Sequence, residues 1–146
     1  MTDLPIPFLR DLDLLTECEL IHGTGKVMLK LQEIIEVTKQ EIWVMTDQPF
    51  PFGKPKLDVR YIIPPEMTKF KPEVKDINRS TMVRVLSKIS LSILILDQEV
   101  AMIFFPDHKG NPDYNSGFFT KKDNPTGLEF IKRIWNHFWE NGEQFP

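Results

Sequence analysis

The stretch Leu91–Phe105 (LSILILDQEVAMIFF) constrains the fold more than any other part of the chain. Two apolar runs, Leu91–Leu96 and Val100–Phe105, flank the polar break Asp97-Gln98-Glu99. Each run has strand length, is rich in Ile, Leu, Val and Phe, and lacks the strict alternation of a half-exposed strand. Near-continuous apolar strands are buried on both faces, under helices. The expected arrangement is therefore a central antiparallel hairpin, closed by a tight turn near Gln98, inside an α/β sheet. A single helix over the same residues would place three polar side chains mid-element among β-branched neighbours.

The remaining elements follow from periodicity. Residues 1–23 read as an irregular N-terminal arm, with a short helix over Phe8–Leu15. Residues 24–146 read as a single α/β domain. Thr24 is the expected N-cap of a helix over Gly25–Lys39, in which Val27, Met28, Leu31, Ile34, Ile35 and Thr38 recur at helical spacing. Strands are expected at Ile42–Met45, Leu57–Ile63 and Met82–Ile89. In the last of these Met82 and Leu86 are read as pointing inward, and Arg84 and Lys88 outward. Gly117–Thr120 adds an edge strand. Asn124-Pro125 opens the final helix as N-cap and first-turn proline, and Asn141-Gly142 ends it. The expected architecture is thus a mixed sheet of five to six strands covered by two main helices.

Composition narrows the function classes. With 146 residues, 41% hydrophobic and 27% charged, the chain suits one globular domain. A net charge of −3 opposes a nucleic-acid footprint, which needs a basic stripe. The single cysteine, Cys18, cannot close an internal disulfide and suits a reducing cytosol, so a cytoplasmic location is expected. The opening TDLPIPFLRD has acids and prolines where a signal peptide carries a basic start and an apolar core. No run is long enough to span a membrane.

Motifs for chemistry are sparse. His22-Gly23-Thr24-Gly25-Lys26 resembles a phosphate loop, but Leu20 stands where its first glycine belongs and Val27 replaces the magnesium-binding hydroxyl. His22, His108 and His137 are far apart in sequence, and Cys18 has no partner cysteine, so no metal or cofactor is expected. Cys18 and His22 are four residues apart, but the surrounding acids raise a thiol pKa rather than lower it. Binding is better supported. The loop Thr46–Pro55 follows a strand and offers Asp47, Phe50 and Phe52 to a crevice. Arg60, Tyr61 and Arg84 are polar residues on otherwise apolar strands, and arginine suits two-point capture of carboxylate or phosphate. Trp135, Phe138 and Trp139 on the last helix suit the core first and a dimer seam second.

The stretch Arg84–Trp139 resembles the middle, effector-sensing domain of winged-helix regulators in the archaeal methanogenesis regulatory protein family. The resemblance lies in the Arg84–Leu86 strand, the hairpin turning at Asp97 into Val100-Ala101, Phe104–Asp107, Gly110, Asp113, Ser116–Phe119 and the helix carrying Phe138-Trp139. Upstream, Glu41–Asp47 and Val59–Pro64 fit the first two strands of the same pattern. Such domains look like one half of the phospholipase-D-type α/β sandwich, and the TrmB-type sugar-sensing regulators are similar. The resemblance implies ligand sensing without catalysis. The phospholipase signature His-x-Lys with a later Asp is absent, because His108-Lys109 has the wrong spacing. It also implies a homodimer that reaches DNA only through a winged helix, and this chain lacks one. The ligand-binding residues expected are Asp47, Phe50, Arg60, Tyr61 and Arg84, with Trp135, Phe138 and Trp139 at the interface. Two rivals stand beside this expectation: a degenerate phosphodiesterase-like hydrolase using His108 or His22, and an interaction module docking through the final helix.

Overall fold

A computed structural model describes residues 4–48, 57–70 and 80–145. Its centre is the hairpin of β5 (Ser92–Leu96) and β6 (Val100–Phe104), in register from Ser92↔Phe104 to Leu96↔Val100. All five β5 residues and Ala101–Phe104 are buried, which is why these strands show no polar alternation. The closing turn holds Asp97 at φ 52° and Gln98 at φ 58°, with the Glu99 amide donating to the Leu96 carbonyl at 3.0 Å. Two left-handed central residues match the right-handed twist of the flanking strands. The Asp97 carboxylate accepts from the backbone amides of Lys39, Gln40 and Glu41 at 2.8–3.0 Å. One side chain thereby joins the hairpin turn to the start of the neighbouring strand.

The hairpin lies within a mixed sheet. Its other strands are β1 (Glu19–His22), β2 (Glu41–Met45), β3 (Asp58–Ile63), β4 (Ser80–Val85), β7 (Ser116–Lys121) and β8 (Glu143–Phe145). The order is β1-β7-β6-β5-β2-β3-β4-β8, with β2, β3 and β4 mutually parallel and every other pair antiparallel. The described residues therefore form eight strands, where five to six were expected. The two additions, β1 and β8, sit at the sheet edges and carry polar sequences (ELIH, EQF). Such strands are specified by backbone pairing with a neighbour more than by a side-chain pattern.

Three α-helices occur among the described residues: α1 (Ile6–Arg10), α2 (Thr24–Glu36) and α3 (Pro125–Asn141). Helix α2 packs Val27, Leu31 and Ile34 on one face of the sheet, while Met28, read as inward, is 49% exposed. Thr24 lies inside α2 rather than capping it. The capping position belongs to Gly23, whose φ of 108° strongly favours glycine, and the Thr24 hydroxyl bonds the Asn115 side chain. On the other face lie α3 and the N-terminal segment, which contributes buried Leu4 and Leu15. Residues 4–22 are thus a packed part of the sandwich and not an irregular arm. Asn124 caps α3 as expected, its side-chain oxygen accepting the Gly127 amide at 3.2 Å.

Candidate functional site

Strand alternation decides which candidate residues can meet. Trp43, Arg60 and Met82 lie side by side on β2, β3 and β4, on the face covered by α3. Arg84 shares that face one pleat further along, opposite Ile62. Met82, Arg84 and Leu86 therefore cannot alternate inward and outward as expected, since residues two apart on a strand share a side. Met82 is 47% exposed, and Val83 is the buried neighbour.

Helix α3 completes this surface with its aromatic residues. Trp135 stacks on Trp43 (centroids 5.7 Å, 24° between planes) and on Trp139 (5.8 Å, 16°). The Arg60 guanidinium carbon lies 4.8 Å from the Trp43 ring centre and 5.6 Å from that of Trp139. The Arg84 guanidinium lies 4.5 Å from the same Trp139 ring, and its Nη1 donates to the Trp139 carbonyl at 2.6 Å. Arg84 so caps the C-terminal turn of α3, where a cation is favoured by the helix dipole. Arg60 has no hydrogen-bond acceptor and no carboxylate partner among the described residues. Both arginines are half-buried, as are Trp43 and Trp139.

The remaining candidates lie elsewhere. Tyr61, next to Arg60, points to the opposite face and is buried in the core beneath α2. Asp47 follows β2, and its carboxylate accepts from the Tyr114 hydroxyl at 2.6 Å. The Thr46 hydroxyl lies 3.2 Å from the same phenol, and Tyr114 packs on Phe104 (5.3 Å). Burial first, and the Asp47 carboxylate second, push the Tyr114 phenol up to about 12. Asp47 thus anchors the loop before β7 and stands apart from the arginines. Phe50, Phe52 and most of the Thr46–Pro55 loop lie outside the described residues. Trp135, expected at an interface, is fully buried within the chain's own core, while Phe138 and Trp139 are half-buried. Trp43 and Tyr114 escaped the sequence reading. No local signal marked Trp43, whose alignment with Arg60 is set by the β2–β3 register.

His22 and His137 occupy separate surroundings. His22 on β1 bonds the Ser116 hydroxyl at 2.6 Å. His137 on α3 packs edge-on against Phe8 and Phe138. Among the described residues no group of three His, Cys, Asp or Glu side chains could hold a metal ion. An open apolar groove of about 590 Å³ lies between the N-terminal segment and the sheet, lined by Leu12, Leu15, Cys18, Leu20, Phe105 and Phe118. Neither arginine lines it. Burial pushes the Cys18 thiol up, which keeps it protonated and unreactive at neutral pH. No described helix is long and apolar enough to cross a membrane.

No family model matches the sequence, and no curated protein matches it. Solved structures do. TrmBL2, an archaeal chromatin protein with a novel mode of DNA binding, superposes with a TM-score of 0.60 at 18% identity, over 88% of this chain and 53% of TrmBL2. The chain thus spans about half of TrmBL2. NucT from Helicobacter pylori superposes at 0.55 and 10% identity, over 84% of this chain and 92% of NucT. Nuc from Salmonella typhimurium, a phospholipase D family member, gives 0.52 and 15%, over 88% of this chain and 99% of Nuc. At these identities the likeness is one of fold, and the fold is phospholipase-D-like.

Proposed function

We propose that this chain is a non-catalytic, small-molecule-sensing domain of an archaeal transcriptional regulator, of the kind resembled by the methanogenesis regulatory protein family. The observation that carries this reading is Arg60: a guanidinium set against Trp43 and Trp139, half-open to solvent, with no acidic partner among the described residues. This arginine is positioned by two rings and keeps its N–H donors available for a ligand. The fold shared with TrmBL2 supports a regulator, and the sequence contains no His-x-Lys on which phospholipase-type catalysis would depend. In this reading the effector sits over Trp43, Arg60 and Trp139, and Phe138 with the exposed edge of Trp139 faces a second copy in a homodimer. DNA is contacted by a winged helix outside these 146 residues.

The test is a thermal-shift screen of intracellular metabolites against the purified chain, run beside a phosphodiester hydrolysis assay. A ligand present at a hundredfold excess over its Kd stabilises the native state by about 2.7 kcal/mol, which raises the Tm by about 5–10 °C for a domain of this size. The expected result is such a shift for at least one compound, with no hydrolysis. Hydrolysis that survives repurification, or a flat response to every metabolite class, would overturn the assignment.

A further inference from the structure

The sensing site has a chemical preference and an output that its geometry specifies. Resting on the reading above, we infer that the effector carries a phosphate or carboxylate group held jointly by Arg60 and Arg84. We further infer that this capture draws Arg84 off the Trp139 carbonyl and loosens the corner where α3 meets β8.

Neither guanidinium has an anionic partner among the described residues. Contact with an indole uses the flat face of the guanidinium and leaves its N–H edge free. The Arg60 guanidinium lies 4.8 Å and 5.6 Å from the ring centres of Trp43 and Trp139 and donates to no described residue. Arg84 spends one nitrogen on a neutral carbonyl. Both guanidiniums lie over one ring, that of Trp139. No described carboxylate forms an ion pair with either, so the surface presents two unneutralised fork donors beside an apolar wall. An oxyanion satisfies such donors with hydrogen bonds about twice as strong as neutral ones. A neutral sugar does not.

The output follows from what Arg84 holds in place. Its carbonyl partner, Trp139, also accepts the Gly142 amide at 3.3 Å. A Cβ on Gly142 would come within 3.0 Å of the Arg84 Cβ, so the turn out of α3 closes directly on this residue. Arg84 pairs with Gln144 in the register that places β8 on the edge of β4. Strand β8 is only three residues long and pairs on one side, so it belongs to the least stable part of the sheet. An anion is a better acceptor than the Trp139 carbonyl. Its arrival competes for Arg84 and weakens the cap that β8 depends on.

All three tryptophans of the sequence belong to this ladder, so intrinsic tryptophan fluorescence reports on this site alone. The full chain is titrated with inorganic pyrophosphate and with citrate, against sodium chloride at matched ionic strength. Hydrogen exchange is followed at the amides of β4 and β8. Either polyanion is expected to give a saturable fluorescence change that chloride does not reproduce, with faster exchange at Glu143–Phe145. Arg60→Gln is expected to weaken binding by about tenfold or more, and Arg60→Lys by less, each measured on protein shown by its far-UV circular dichroism and cooperative melt to be folded. Arg84→Gln is expected to exchange fast at β8 without ligand and to gain nothing from it.

A response equal to that of chloride, or binding indifferent to Arg60→Gln, overturns the anion site. Tight binding with unaltered β8 exchange overturns the coupling. A short DNA duplex that binds through Arg60 more tightly than either small anion overturns the small-molecule assignment. A neutral metabolite that raises the Tm while polyanions do nothing refutes this inference and leaves the sensing function standing.

Discussion

Against one face of the sheet α2 sets three fully buried side chains, Val27, Leu31 and Ile34. Against the other, α3 buries Leu128, Phe130, Ile131, Ile134 and Trp135 together with Gly127. The α2 face is mostly aliphatic, with Tyr61, Phe104 and Phe119 among its buried residues, and it carries no tryptophan; Asp47, Thr46 and Tyr114 meet at its rim. The α3 face carries every tryptophan of the chain and the only two arginines among the described strand residues. A guanidinium can be half-buried there because indole faces offset part of its lost hydration, which aliphatic side chains cannot do. The same sheet is therefore a sealed core on one side and a candidate recognition surface on the other.

The largest expected effect tests whether the α3 face dominates stability. Trp135→Ala should cost about 3–5 kcal/mol, and Leu31→Ala beneath α2 should fall below it within the about 2–5 kcal/mol range of such truncations. Urea unfolding of both variants checks the order, and equal costs would dissolve the contrast between the faces.

Tyr114 gives an intermediate effect and sharpens the description of the α2 rim. Tyr114→Phe leaves Asp47 without its donor and should cost about 1–2 kcal/mol at neutral pH. The phenol is pushed up to about 12 from an ordinary value of 10.0, so folding favours its protonated form. That contribution is complete below pH 10 and is lost as pH rises through about 12. Wild type should consequently lose Tm more steeply than Tyr114→Phe between pH 10 and 12. Parallel melting curves over that window would mean that the phenol is neither buried nor held by Asp47 in solution.

The smallest effect is a control that belongs to neither face. Gln98→Gly removes a side chain from a left-handed turn position and should stabilise by about 0.5–1 kcal/mol, read as a higher urea midpoint at constant m. The Gln98 side-chain contact with Glu41 at 3.0 Å is exposed and subtracts little. A net loss would show that this contact outweighs the strain.

Much of the fold was legible in the residues. The central hairpin followed from uninterrupted apolar runs, the final helix from Asn124-Pro125 and its apolar spacing, and β2 and β3 from their boundaries. Strands β1 and β8 were not legible, because ELIH and EQF acquire strand structure only from the backbones of β7 and β4. Of the candidate site, Arg60 and Arg84 were visible as polar intrusions in apolar strands. Grouping Tyr61 with Arg60 failed because neighbours on a strand face opposite sides of the sheet. Trp43 went unread as a site residue, since its role comes from Trp135 more than ninety positions away.

The chain's own order of residues determined that a greasy hairpin forms, that it lies inside a sheet, and that amphipathic helices must cover it. These are local matters of burial and periodicity, set by residues a few positions apart. Only the tertiary structure decided that two arginines would share a ring on the α3 face, that one of them would cap a helix, and that Asp47 would anchor a distant tyrosine. Those pairings join strands and helices far apart in sequence, and they exist because sheet register and helix docking bring together side chains that no local pattern relates.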